Sequence, residues 1–371
     1  MKNVNCYIHI PFCTSKCKYC RFASFSGMKK LQIQTYVDFL CNEILSNNEK
    51  DLVLDTIYFG GGTPGTLNIS QFTQIFETLK NKYKFSDNIE ISIETTPENV
   101  TIENLVGWKN LGINRISMGV QSLNEKTLCE IGRAGKGDII NALNIVKKIG
   151  FNNFSIDFII GLPYVEKGEI VKNIGFLLDN YNFIKHISVY MLEEYYDVPD
   201  DLDSKFENIV YPNTWSGLGL KEDDYLDEYT EIKKYLNSRG FSRYEISNYA
   251  KPGFECKHNF GYWTHKESLA FGLGAFGFLD NIRFSNSESF IEYYNKKNIL
   301  SEKLKEDDLF LENLMFSLRT SGIDNFLVEK LDKKEINYFL ENNLLEKIDD
   351  KIILTDSGVL IMNYILGKIV K

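Results

Sequence analysis

Along the first half of the chain, short alternating apolar runs are separated by longer stretches with helical spacing. Residues 4–10 alternate, with Cys6, Ile8 and Ile10 on one face and Tyr7 and His9 on the other. Residues 56–59, 89–94, 115–120, 154–160 and 186–191 read as further strands. Helical spacing falls over 31–45, 71–83 (with Ser70 as N-cap), 101–111, 138–149 and 166–179. Six strand–helix alternations predict an α/β fold with a parallel sheet or open barrel. In such folds, sites gather at the C-terminal ends of the strands.

The pattern then changes. Residues 195–221 are irregular, acidic and aromatic, 223–239 are strongly helical, and 244–278 are rich in glycine and aromatics. From about residue 307 helices precede a hairpin at 345–354, turning at Asp349-Asp350, and a last helix starts at 357. This predicts a core over 1–195, a connecting, ligand-covering region over 196–300 and a helical, winged-helix-like domain over 301–371. Winged helices often bind DNA, but 301–371 carry 10 Lys/Arg against 14 Asp/Glu. A structural or ligand-covering tail is therefore expected, and no nucleic-acid partner.

Composition narrows the class. The 371 residues are 43% apolar and 25% charged, as in ordinary globular chains, and the net charge is −9. No run of about 18 apolar residues suggests a membrane span, and the N-terminus lacks the apolar stretch of a signal peptide. Seven cysteines, an odd number with three bunched, suit a metal site in a reducing cytoplasm better than a disulfide framework.

Those three are Cys13, Cys17 and Cys20, spaced C-x3-C-x2-C. Three thiolates can hold three irons of a [4Fe–4S] cluster and leave the fourth iron open to a small molecule. A structural zinc ion is the competing reading. It would need a fourth ligand, such as His9 or Cys6, and no second ligand pair follows at zinc spacing. Cys41, Cys129 and Cys256 are isolated and read as ordinary thiols. Gly60-Gly-Gly-Thr-Pro64 ends the second strand, and its glycines allow a ligand close to the backbone.

The cysteine loop after a first strand, followed by a glycine-rich end of the second, resembles the radical S-adenosylmethionine (SAM) superfamily. There the open iron chelates the methionine end of SAM, and an electron from the cluster cleaves it. Five ordered motifs narrow the match: Tyr7-Ile-His-Ile-Pro-Phe-Cys13, Phe59-Gly-Gly-Gly-Thr-Pro64, Asn114-Arg-Ile-Ser-Met-Gly-Val-Gln-Ser122, Asp157-Phe-Ile-Ile-Gly-Leu-Pro163 and Tyr244-Glu-Ile-Ser-Asn-Tyr249. Together they resemble the HemN-like radical SAM family over nearly the whole chain. The resemblance implies a partial (β/α)6 barrel. It also implies a SAM pocket lined by Tyr7, Gly61, Gly62, Thr63, Glu94, Gln121, Arg133 and Asp157, with Tyr19 as the aromatic before the last cysteine.

That family holds an oxygen-independent coproporphyrinogen III oxidase and heme chaperones. Little chain precedes Cys13, and Phe22 stands where the oxidase carries an extra cysteine. His258-Asn-Phe-Gly-Tyr-Trp263 matches the H-N-x-x-Y-W motif of the chaperones. A neutral imidazole suits heme iron, so His258 is the expected axial ligand and Cys256 a lesser candidate. Tyr262 and Trp263 could pack against the macrocycle. His186 and His265 read as structural. The expectation is a cytoplasmic heme chaperone holding a [4Fe–4S] cluster, SAM and heme, with no catalytic residue assigned. By resemblance it would form a homodimer and serve recipient hemoproteins, including membrane-side ones. The alternatives are the oxidase and a HemN-like radical methyltransferase.

Overall fold

The computed structural model describes residues 2–192, 215, 217–296 and 300–370. The acidic, aromatic stretch at 195–221 therefore lies largely outside the described residues. Six parallel strands form the centre: β1 (Lys2–Ile10), β2 (Leu52–Gly61), β3 (Lys84–Thr95), β4 (Arg115–Gln121), β5 (Phe154–Ile160) and β6 (Ile184–Met191), side by side in that order. Helices Lys30–Ser46, Ile69–Lys82, Ile102–Leu111, Lys136–Ile149 and Glu169–Asn180 connect them. The predicted alternation is present.

Three local features differ from the sequence expectation. The cap of helix Ile69–Lys82 is Asn68, whose side chain accepts from the Gln71 N–H, rather than Ser70. A short helix, Glu125–Glu130, follows β4, capped by Asn124. A seventh parallel strand, Ser268–Phe271, pairs with the free edge of β1. Its four buried residues do not alternate with polar ones, so the period-2 pattern gave no sign of it. Antiparallel pieces extend both edges and bring this sheet to 12 strands among the described residues.

Alternation along the strands divides the molecule. Ile57 and Phe59 of β2, Ile116, Met118 and Val120 of β4, and Ile156, Phe158 and Ile160 of β5 are buried against the helices. Phe59, for example, packs edge-on against Phe72, with ring centroids 5.4 Å apart. The opposite, inner face is polar. Registered neighbours across it are Asn5, Thr56 and Glu90, then Tyr7, Tyr58, Ser92 and Arg115. Hydrophobic stabilisation therefore sits between sheet and helices, and the inner face is left for chemistry.

In the tail, helices Glu306–Arg319, Asn325–Val328 and Lys333–Glu341 precede a hairpin, Leu345–Ile348 with Lys351–Leu354, and two final helices. Strand Ile323–Asp324 completes a three-stranded sheet. The tail is tied to the body by Lys233–Asp356 at 2.6 Å and Arg319–Glu245 at 3.0 Å.

Candidate functional site

A cavity of about 340 Å³ opens at the C-terminal ends of β2 to β6. Cys13, Cys17, Tyr19, Cys20, Gly61, Gly62, Thr63, Glu94, Gln121, Arg133 and Asp157 all line it. The structure thus gathers residues up to 144 positions apart, and nearly the whole expected set. Tyr7 is the exception. It lies one layer beneath, its hydroxyl 3.1 Å from His9 Nδ1 and its ring against the Gly60 backbone.

The cysteine loop is tied down from several sides. Gly62 and Thr63 donate their N–H groups to Ile10 O and Phe12 O, at 2.9 and 2.7 Å. Thr63 Oγ1 donates to Cys13 Sγ at 3.6 Å, and Arg133 Nη1 to Cys17 Sγ at 3.7 Å. Arg133 also donates to Gly119 O through a short hydrogen bond. Burial raises the Cys13 and Cys20 thiols. Among the described residues, no three His, Cys, Asp or Glu side chains converge on the point a single metal ion would take. The three thiols instead share a wall of the cavity with two hydrogen-bond donors aimed at their sulfurs. That is a donor set suited to a multi-iron cluster, whose sulfurs accept such bonds.

The glycines are needed sterically. Gly61 has φ +109°, and a Cβ there would lie 2.5 Å from the His9 ring. At Gly62 a Cβ would lie 2.8 Å from Phe12 O. His9 itself is buried, with Nε2 2.9 Å from Ala23 O just past the cysteines. Burial lowers its pKa to about 4, so the imidazole is neutral. It joins β1, the loop and Gly61. His9 was weighed from sequence only as a fourth zinc ligand, and Ser117 and Ser155 were not singled out; their alternation with buried apolar residues is the signal that marks an inner face.

Three carboxylates line the cavity: Glu94, Asp157 and the exposed Glu98. Glu94 accepts from Tyr58 Oη at 2.8 Å and from the Gly61 N–H at 3.2 Å. Burial nevertheless raises its pKa to about 7, and the nearby Asp157 adds to the rise. Asp157 accepts from Ser117 Oγ at 3.1 Å and Ser155 Oγ at 3.3 Å, and burial raises it too. Gln121, at φ +67°, turns its side chain inward, and its buried Oε1 has no partner in the protein. A left-handed glutamine with a free buried acceptor is costly unless a ligand donates to it. Acceptors, glycine backbone and thiols together fit a cluster with a polar, cationic small molecule beside it.

His258 is not at this cavity. It is fully buried and lies on helix Lys257–Tyr262, which closes the N-terminal end of the inner face. The helix start is held by Glu90, which accepts from the Lys257 and His258 N–H groups, both at 3.1 Å, and from Cys256 Sγ. Both ring nitrogens are engaged: Nδ1 is 2.7 Å from Thr56 Oγ1 and Nε2 is 2.8 Å from Tyr262 Oη. Burial lowers its pKa to about 3. Glu90 lies four strand positions before Glu94, about 13 Å along β3. The expectation of an available axial ligand is therefore not met in this conformation, because ring nitrogens bonded on both sides and closed to solvent offer no lone pair to iron. Trp263 is likewise committed, with Arg319 4.4 Å above its ring and Phe316 at 5.5 Å.

Comparison with known proteins places this architecture. Residues 7–177 match the radical SAM superfamily model. Heme chaperone HemW of Haemophilus influenzae is 30% identical over 97% of this chain and 96% of its own length. Heme chaperone HemW of Synechocystis is 33% identical over 85% of this chain and 78% of its own. The chain belongs to the HemW family of radical SAM proteins. The HemW-type fold is shared with the radical SAM enzyme coproporphyrinogen III oxidase (HemN) of Escherichia coli, at a TM-score of 0.81 and 20% identity, covering 99% of this chain and 89% of the other. No helix among the described residues is long and apolar enough to cross a membrane.

Proposed function

We propose that this protein is a heme chaperone that carries a [4Fe–4S] cluster and SAM and passes heme to recipient hemoproteins. The observation that carries the reading is the end-to-end similarity to proteins named heme chaperone HemW, joined to a cavity that collects the three cysteines and the glycine strand. Cys13, Cys17 and Cys20 would hold the cluster. Gly61, Gly62, Thr63, Glu94, Gln121, Arg133 and Asp157 would surround SAM, with Tyr7 and Tyr19 supporting them. The cluster supplies one-electron chemistry when bound. Arg133 orients Cys17 and Gly119, the glycines admit the ligand backbone-close, and Glu94 and Asp157 present acceptors.

Heme ligation by His258 belongs to a second conformation, in which the Tyr262 bond is released and helix Lys257–Tyr262 moves away from Glu90. The test is anaerobic reconstitution followed by iron, sulfide and zinc analysis and heme titration. Four irons per chain and a heme-induced Soret shift are expected. Zinc alone, or turnover of coproporphyrinogen with SAM and reductant, would overturn the chaperone reading.

A further inference from the structure

Arg115 opens β4 and is 1% exposed. An arginine this deep is rare without a partner, because a charge leaves water at high cost. Its place follows from the strand period. Ile116, Met118 and Val120 face the helices, so Arg115, Ser117, Gly119 and Gln121 face inward. Arg115 pairs in register with Ser92, and Ser117 with Glu94. The guanidinium thus enters one row below the cavity floor, where Ser117 holds Asp157. Its Nε and Nη1 meet no acceptor in the protein; the groups that face it are Cys256, the buried Glu90 carboxylate, Tyr58 and Tyr244.

We propose that Arg115 is a positioning residue: a buried cation one row beneath the cavity that favours the ionised forms of Glu94 and Asp157 without occupying their oxygens, so that the cavity takes a cationic ligand more readily near neutral pH. The sulfonium and ammonium of SAM have that chemistry, and this identification of the ligand rests on the function proposed above. A direct ion pair would consume the lone pairs that the ligand needs. A cation set one row back supplies the charge and leaves them open.

The surroundings agree. Glu94 and Asp157, with Glu98 at the same cavity, repel each other and tend to hold a proton. Tyr7, Tyr58, Tyr190 and Tyr262 also face Glu94, and all are neutral phenols with raised pKa values. Arg133, the other cation at the cavity, donates to Gly119 O and Cys17 Sγ. Arg115 acts on Glu94 and Asp157 through space, favouring the charged form of each. The same charge disfavours protonation of His186 and His258, and so helps hold both imidazoles neutral.

The experiment is SAM binding to anaerobically reconstituted protein from pH 6 to 9, for wild type, Arg115→Met, Arg115→Gln and Arg115→Lys. Without the cation both carboxyls gain pKa, so binding moves to higher pH. A shift of one unit corresponds to about tenfold weaker affinity at neutral pH. Arg115→Met and Arg115→Gln are expected to lose that affinity at pH 7 and regain it by pH 9, with Arg115→Lys close to wild type throughout. A loss independent of pH, or none, overturns the proposal. The carboxyl 13C shifts of Glu94 and Asp157, titrated without ligand, give a readout that does not depend on SAM. Their midpoints rise in the neutral variants if the proposal holds and stay fixed if it fails. Wild type that binds no SAM while the midpoints still move would refute the ligand and spare the electrostatic role.

Discussion

His258 Nε2 and Tyr262 Oη are 2.8 Å apart, one helical turn from each other, and the bond closes the imidazole against solvent. Removing the phenol hydroxyl frees one nitrogen of the ring. Tyr262→Phe is therefore expected to bind heme several-fold more tightly than wild type, and His258→Ala to lose the ligand-field bands, in anaerobic titrations followed at the Soret band. Identical spectra for all three proteins would remove His258 as the iron ligand.

The tail holds that helix shut. Glu312 of helix Glu306–Arg319 pairs with His265 at 2.9 Å and also with Arg283, while Arg319 pairs with the buried Glu245 and covers Trp263. Arg319→Ala removes the donor to Glu245 Oε2, at about 2 kcal/mol, while Oε1 keeps its bonds from the Ser247 N–H and Asn248 Nδ2. Amide exchange over residues 257–263 should quicken in this variant more than exchange in β1 to β6. Uniform exchange changes would count against a latch.

Acid should uncouple His258 from stability. Its folded pKa is lowered from 6.5 to about 3. A basic group lowered in this way contributes stability above the unfolded value and loses it as pH falls. The stability gap between wild type and His258→Gln in urea unfolding is thus widest above pH 6.5. Below that it narrows by about 1.4 kcal/mol per pH unit. Glu94, raised from 4.5 to about 7, has the opposite sign, since its contribution falls as pH rises through that window. It is common to both proteins and cancels in the difference. A constant gap from pH 7.5 to 5 would refute the assignment.

Gly61→Ala combines a left-handed backbone with a Cβ 2.5 Å from the His9 ring. A loss of about 2 kcal/mol is expected, together with weaker cluster retention, because His9 also anchors Ala23. Thermal unfolding and iron content check both. An alanine variant as stable as wild type would show that the strand end can shift.

The parts of the site carried by contiguous residues were legible in the sequence. Cys13, Cys17 and Cys20 share one loop, Gly61 to Thr63 one strand end, and Glu94 near the end of its strand and Asp157 in the middle of its own follow a period that is plain. The depth of His258 was not legible. Its motif states chemistry, but its burial is set by Glu90 and Thr56, 168 and 202 residues away. Arg115 was passed over as part of a motif, although the polar residues alternating after it were visible. Strand Ser268–Phe271 escaped because its buried residues do not alternate and its partner is β1, at the far end of the chain.

The polar inner face separates two tasks that most cores combine. Apolar contacts outside the sheet keep the fold, so the interior can be rewritten one residue at a time without emptying a hydrophobic core. A protein built this way can exchange what it does at the centre while keeping its shell, and a shared architecture is then a poor guide to a shared reaction.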